Sequence, residues 1–130
     1  MDVDYNPEKR ENLSSLALAH VGDAVYELLI RTKICEKNLT NSEMHRHTVT
    51  LVCAPAQARA ARELYGRLTE EEQSVFRRAR NTKAHRVPQG CTPGEYSLAT
   101  ALEALFGSLY LNGRHDRIHE LFAFVWETLN

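Results

Sequence analysis

The chain has 130 residues, 43% hydrophobic and 25% charged, and sixteen Lys and Arg against seventeen Asp and Glu leave a formal charge of −1. That size fits one domain whose core needs neither disulfides nor a structural metal, and the charge balance excludes a protein drawn to polyanions by its overall field. Cys35, Cys53 and Cys91 are odd in number and form no C-x-x-C pair, which excludes a secreted disulfide framework and predicts three reduced, packed thiols.

In chain order, residues 1–12 form a polar, acidic segment with neither the basic start nor the apolar stretch of a signal peptide. No later run approaches membrane-spanning length, so a soluble, cytoplasmic protein is expected. The domain is predicted over residues 13–130. Leu13, Leu16, Ala17, Val21, Ala24, Val25 and Leu28 follow helical spacing, and this first helix is extended to about Cys35. Thr40 and Glu43 have capping-box spacing for a second helix, beginning near Ser42 and stopping before Pro55. Pro55 suits the first turn of a third helix, where a proline loses no helical hydrogen bond. Thr69 and Glu72 open a fourth helix that runs to about Arg80. "NTKAHRVPQGCTPG", from Asn81, reads as the one long loop. Thr92, Pro93 and Glu95 then start a fifth helix to Leu111, and a sixth runs from about His115 to Leu129. No period-two pattern competes, so the fold class is all-α, a single-domain helical bundle of about six main helices.

Two of these helices are apolar nearly all round and each carries an acid. In "LALAHVGDAVYELLI", His20, Asp23, Tyr26 and Glu27 project onto one narrow strip at about 100° per residue. In "ATALEALFGSLYL", Glu103 is the only carboxylate, and it shares a strip with Tyr96, Thr100, Gly107 and Tyr110. An ionised carboxylate in such company acquires a partner, a proton or a metal. Gly22 and Gly107 lie beside the two acids. A mid-helix glycine costs about 1 kcal/mol relative to alanine, and close approach of two helix backbones is a reason to accept that cost. If the helices cross at the glycines, Asp23 and Glu103 converge and repel unless a cation or proton lies between them. Oxygen ligands of this kind favour Mg²⁺, with Mn²⁺ as substitute. The plain alternative is two surface acids paired with Arg.

"LALAHVGDAVYE" and "ATALEALFGSLYL" resemble the two signature segments of the ribonuclease III catalytic domain. Chain length, "GDAVYE", the "RN-K" run and "GRHDR" resemble its short bacterial branch, Mini-ribonuclease III, which has no double-stranded-RNA-binding domain. The resemblance covers Leu13 to Leu121. It implies a bundle of the ribonuclease III endonuclease type, a homodimer, and Mg²⁺-dependent hydrolysis of double-stranded RNA to 5′-phosphate ends. It also implies maturation of the 23S ribosomal RNA precursor, with a ribosomal protein as a further candidate partner. By position, Asp23 and Glu103 match the catalytic, metal-binding aspartate and glutamate. Full-length enzymes carry two further acids where this chain has Ala19 and Thr100, so a second tightly held metal is not expected. His20 stands where those enzymes use an aromatic at the dimer contact.

The basic footprint is local. No acid lies between Gln73 and Gly94, a stretch holding Arg77, Arg78, Arg80, Lys83, His85 and Arg86; these are the RNA-binding candidates. Met44 to Arg62 is also acid-free and adds Arg46, Arg59 and Arg62. Glu27 has either a role beside Asp23 or a plain i+4 pairing with Arg31. His115 and His119 have the spacing of a zinc pair without an evident third ligand. Phe122, Phe124, Val125 and Trp126 seal the core or a dimer interface. Two competing functions use the same features: a non-catalytic ribonuclease III-like module binding RNA or ribosomal protein, and an all-α nucleotide pyrophosphohydrolase. The second requires denser acid motifs, such as E-x-x-E, than either signature helix carries.

Overall fold

A computed structural model describes residues 12–82 and 86–130. Most of the polar N-terminal segment, together with Lys83 and His85, lies outside the described residues. Among the described residues six α-helices follow one another, α1 (Ser15–Cys35), α2 (Asn41–Val52), α3 (Ala54–Leu64), α4 (Glu70–Arg80), α5 (Pro93–Leu111) and α6 (His115–Leu129), with a 3₁₀ turn at Tyr65–Arg67 after α3. No strand occurs among the described residues.

The helix starts are set by short-range chemistry. Thr40, Thr69 and Thr92 each accept from the amide three residues on, and Glu43, Glu72 and Glu95 reach back to the threonine amides. Each box satisfies two amides that the helix itself leaves open. Pro93 is the first residue of α5. The start of α1 was less legible: the apolar spacing begins at Leu13, but the helix begins at Ser15 because the Ser14 hydroxyl caps Ala17 N at 3.1 Å. Between α5 and α6 the chain turns at Gly113, whose φ of +70° suits a residue without Cβ.

α5 is the axis of the bundle. Its residues from Ala99 to Leu109 are buried except Glu103 and Ser108, and α1, α3, α4 and α6 all pack against it. Tyr26, Ile30 and Ile34 of α1 meet Leu102, Leu105 and Phe106 of α5, with Leu64, Phe76, Leu121 and Val125 completing the core. Each large side chain removed from water contributes about 1.5–3 kcal/mol. Phe122 and Val125 lie in that core, while Phe124 and Trp126 pack at its edge beneath Arg67 and Lys37.

Two expectations from the sequence are corrected here. The strip of His20, Asp23, Tyr26 and Glu27 is expected to face polar matter, but Tyr26 is fully buried; the phenol is large and amphipathic, and its ring fills the core. The thiols do not pack: Cys35 and Cys53 are exposed and Cys91 is half-buried, because all three stand at helix ends or in the loop.

Candidate active site

The site begins with two glycines. A Cβ on Gly22 would lie 1.6 Å from the Glu103 carbonyl oxygen and 2.8 Å from Gly107 N, and one on Gly107 would lie 1.9 Å from the Leu18 carbonyl oxygen. α1 and α5 therefore touch backbone to backbone, which no side chain at either position permits. Asp23 follows Gly22, and Glu103 precedes Gly107 by one turn, so the crossing brings the two acids together. The Asp23 carboxyl stands close enough to act on that of Glu103.

The electrostatics follow from that placement. Burial pushes the Glu103 carboxyl up to about 8, and the hydrogen bond and charge of Asp23 push the same way, while the Gln57 amide of α3 opposes them. Asp23 itself is exposed. At neutral pH and without a cation, Glu103 is thus largely protonated, which relieves the repulsion between the pair.

A cleft of about 390 Å³ opens beside Glu103, and Asp23 is not part of its lining. Glu103, Gln57 and Tyr96 line one part, and Cys53, Pro88 and Cys91 line another. Gln57, which is 2% exposed, is a site residue that sequence reasoning missed. Its signal was a single amide in the alanine-rich stretch "APAQARAA".

Other candidates fall in different places. Glu27 binds Arg31 at 2.8 Å, the plain i+4 pairing. The Thr100 hydroxyl donates to its own helix at Tyr96 O, 3.0 Å away, so it does not take up the role of an acid. His20, His115 and His119 are exposed, and the Tyr110 ring packs edge-on to His115. Among the described residues, no group of three or more His, Cys, Asp or Glu is placed to hold a metal. Arg77, Arg78, Arg80 and Arg86 are exposed, as are Arg46, Arg59 and Arg62; Arg77 donates to the Tyr65 hydroxyl at 2.9 Å.

The family of the ribonuclease III domain matches residues 16–114 of this chain. The Mini-ribonuclease 3 of Symbiobacterium thermophilum is 43% identical over 110 residues, 84% of this chain and 85% of its own. That of Thermoanaerobacter sp. is 45% identical over 111 residues, covering 85% and 78%. A crystal structure of a Fusobacterium nucleatum protein superposes with a TM-score of 0.82 at 32% identity, over 89% of this chain and 93% of that one. The chain belongs to the Mini-ribonuclease 3 branch of the ribonuclease III family.

Proposed function

We propose that this protein is an endoribonuclease that hydrolyses phosphodiesters of double-stranded RNA with Mg²⁺, with Asp23 and Glu103 as its catalytic, metal-holding residues. The observation that carries the reading is the convergence of these two carboxyl groups at the Gly22–Gly107 crossing. Family membership supports the ribonuclease class.

The residues present fit a divalent cation. Two neighbouring carboxyls, one of them pushed up to about 8 first by burial and then by the other's hydrogen bond and charge, are a donor set that a cation would relieve. So few protein oxygens suit an ion that keeps most of its waters. When bound, Mg²⁺ supplies charge neutralisation and an activated water for attack on phosphorus. Asp23, being exposed, presents its carboxylate from the solvent side, and Glu103 closes the site from below. Gln57 acts on Glu103 against the upward shift and so favours its ionised form over the protonated one.

RNA is held by local charge. Arg77, Arg78 and Arg80 of α4, with Lys83, His85 and Arg86 further along the sequence, neutralise phosphates in a manner that falls with salt and reads duplex shape rather than sequence. A homodimer would set two such sites along one duplex, one for each strand. Processing of the 23S ribosomal RNA precursor in the cytoplasm, with or without a ribosomal protein, is the role this chemistry serves.

The test is cleavage of duplex RNA with Mg²⁺ and with chelator, read for end chemistry. Fragments with 5′-phosphate and 3′-hydroxyl ends are expected with Mg²⁺ only. Asp23→Asn should lower cleavage at least a thousandfold while sparing duplex binding. Cleavage that survives either change removes the carboxyl pair from the chemistry.

A further inference from the structure

The phenol of Tyr26 presents a problem that packing does not answer. Its hydroxyl is completely enclosed and has no hydrogen-bond partner within the protein. A buried hydroxyl without a partner leaves its desolvation uncompensated, and in a native fold such a group calls for an explanation. The ring itself is well used. It meets Phe106 edge-on at 5.7 Å and Phe122 at 6.3 Å, geometry that aromatic pairs favour. A phenylalanine would keep both contacts and lose the unpaired oxygen, so the oxygen contributes nothing to the core.

Its surroundings point to the site. Tyr26 lies one turn beyond Asp23 on α1, and the ionisable groups that act on its hydroxyl are Cys53, Glu103 and Arg59. Cys53 and Glu103 line the cleft. Gln57, buried at 2% exposure, lines the same cleft. Glu103 and Gln57 line one cleft from two helices, and the enclosed Tyr26 hydroxyl, from a third, stands on a ring that meets Phe106, one turn beyond Glu103. Three partners are what a buried water ordinarily takes.

We propose that Tyr26 is a positioning residue for Glu103: its hydroxyl donates to one bridging water, which donates to the Glu103 carboxylate and, with Gln57, fixes that carboxylate in the orientation that receives a divalent cation. This rests on the reading that Asp23 and Glu103 hold the cation. The groups that orient a metal ligand from behind set its affinity, and losing one typically weakens metal binding 10- to 100-fold.

The experiment compares full-length wild type, Tyr26→Phe and Asp23→Asn by Mn²⁺ titration calorimetry, by melting temperature with and without Mn²⁺, and by kcat and KM on duplex RNA. For Tyr26→Phe, Mn²⁺ affinity should fall about tenfold and the Mn²⁺-induced rise in melting temperature should shrink accordingly. The cation-free melting temperature should hold or rise. At limiting Mg²⁺, kcat should fall with KM for RNA unchanged, and saturating Mg²⁺ should restore it. Wild-type Mn²⁺ affinity in Tyr26→Phe overturns the proposal. So does a lowered cation-free melting temperature with affinity intact, which makes the hydroxyl structural. If wild type binds no Mn²⁺, or Asp23→Asn binds it equally well, the carboxyl pair is not the metal site and both readings fall together.

Discussion

Two glutamates on neighbouring helices have opposite fates. Glu72 of α4 is 7% exposed, yet its carboxyl is held below the usual carboxylate range, first by hydrogen bonds from Arg117 and then by the Thr69 amide. Arg117 Nε and Nη2 both donate to it at 2.9 Å, and Nη2 also donates to the Arg67 carbonyl oxygen. Glu103 of α5 moves the other way, up to about 8. Burial resists the charge of both. What separates them is the partner: a bidentate guanidinium in one region and a second carboxyl in the other. The α4–α6 corner has its charge resolved within the protein and acts as a fastening, whereas the α1–α5 crossing keeps a conflict that a bound cation would settle.

The largest test of that contrast removes the crossing itself. Gly22→Ala sets a methyl carbon where the Glu103 carbonyl now lies, so two helices must separate across the centre of the core. A loss of at least about 4 kcal/mol is expected, with cleavage lost as well, and urea denaturation measures it. Gly66→Ala is the control. Nothing lies within 4 Å of a Cβ there, so its stability should stay within about 0.5 kcal/mol of wild type. Equal effects from both variants would mean that the crossing is looser than described.

The next effect is a pair of opposed pH dependences in cation-free protein. Glu103 has a folded value raised above the unfolded one, so the stability it contributes is full below about pH 4.5 and is lost as pH rises through about 8. On the order of 3 kcal/mol should disappear by neutrality, at about 1.4 kcal/mol per pH unit. Glu72 has a lowered value, so its contribution is present above the ordinary carboxylate range and is lost as pH falls through the depressed value. Denaturation midpoints from pH 4 to 9 should therefore fall less towards alkaline pH in Glu103→Gln. Glu72→Gln should be weaker at neutrality and lose less in acid. Parallel slopes in Glu103→Gln and wild type would show that the carboxyl pair is not coupled in solution.

The contrast between the two glutamates also marks what could be read from sequence. Thr40, Thr69 and Thr92 with their acids announced three helix starts, because a capping box is written within four residues. Gly22 and Gly107 announced the crossing, because each is a glycine beside an acid in an apolar helix. The matching of Asp23 and Glu103 to signature positions came from family resemblance. Arg117, 45 residues from Glu72, left no trace of that kind: the capping box already explained Glu72, and a helix gives no hint of which distant guanidinium will reach it. Gln57 and the orphaned Tyr26 hydroxyl were hidden for a related reason. Helical projection separates polar from apolar faces, but it cannot tell whether an amphipathic side chain turns its oxygen outward or inward.

The smallest expected effect decides how far the proposed active region extends along α1. Glu27 stands one turn beyond Asp23, close enough in sequence to suggest a share in the chemistry, but its carboxylate is taken by Arg31 at 2.8 Å, with side-chain exposures of 37% and 63%. Exposed i,i+4 pairs contribute about 0.3–0.5 kcal/mol. If the pair is all that Glu27 does, Glu27→Gln and Arg31→Ala should each lower stability by about that amount and leave duplex cleavage within about twofold of wild type. Salt should erase the stability difference, since exposed pairs are screened. A tenfold loss of cleavage in Glu27→Gln, with Arg31→Ala still active, would instead place the Glu27 carboxylate in the reaction and extend the active region a full turn along α1 beyond Asp23.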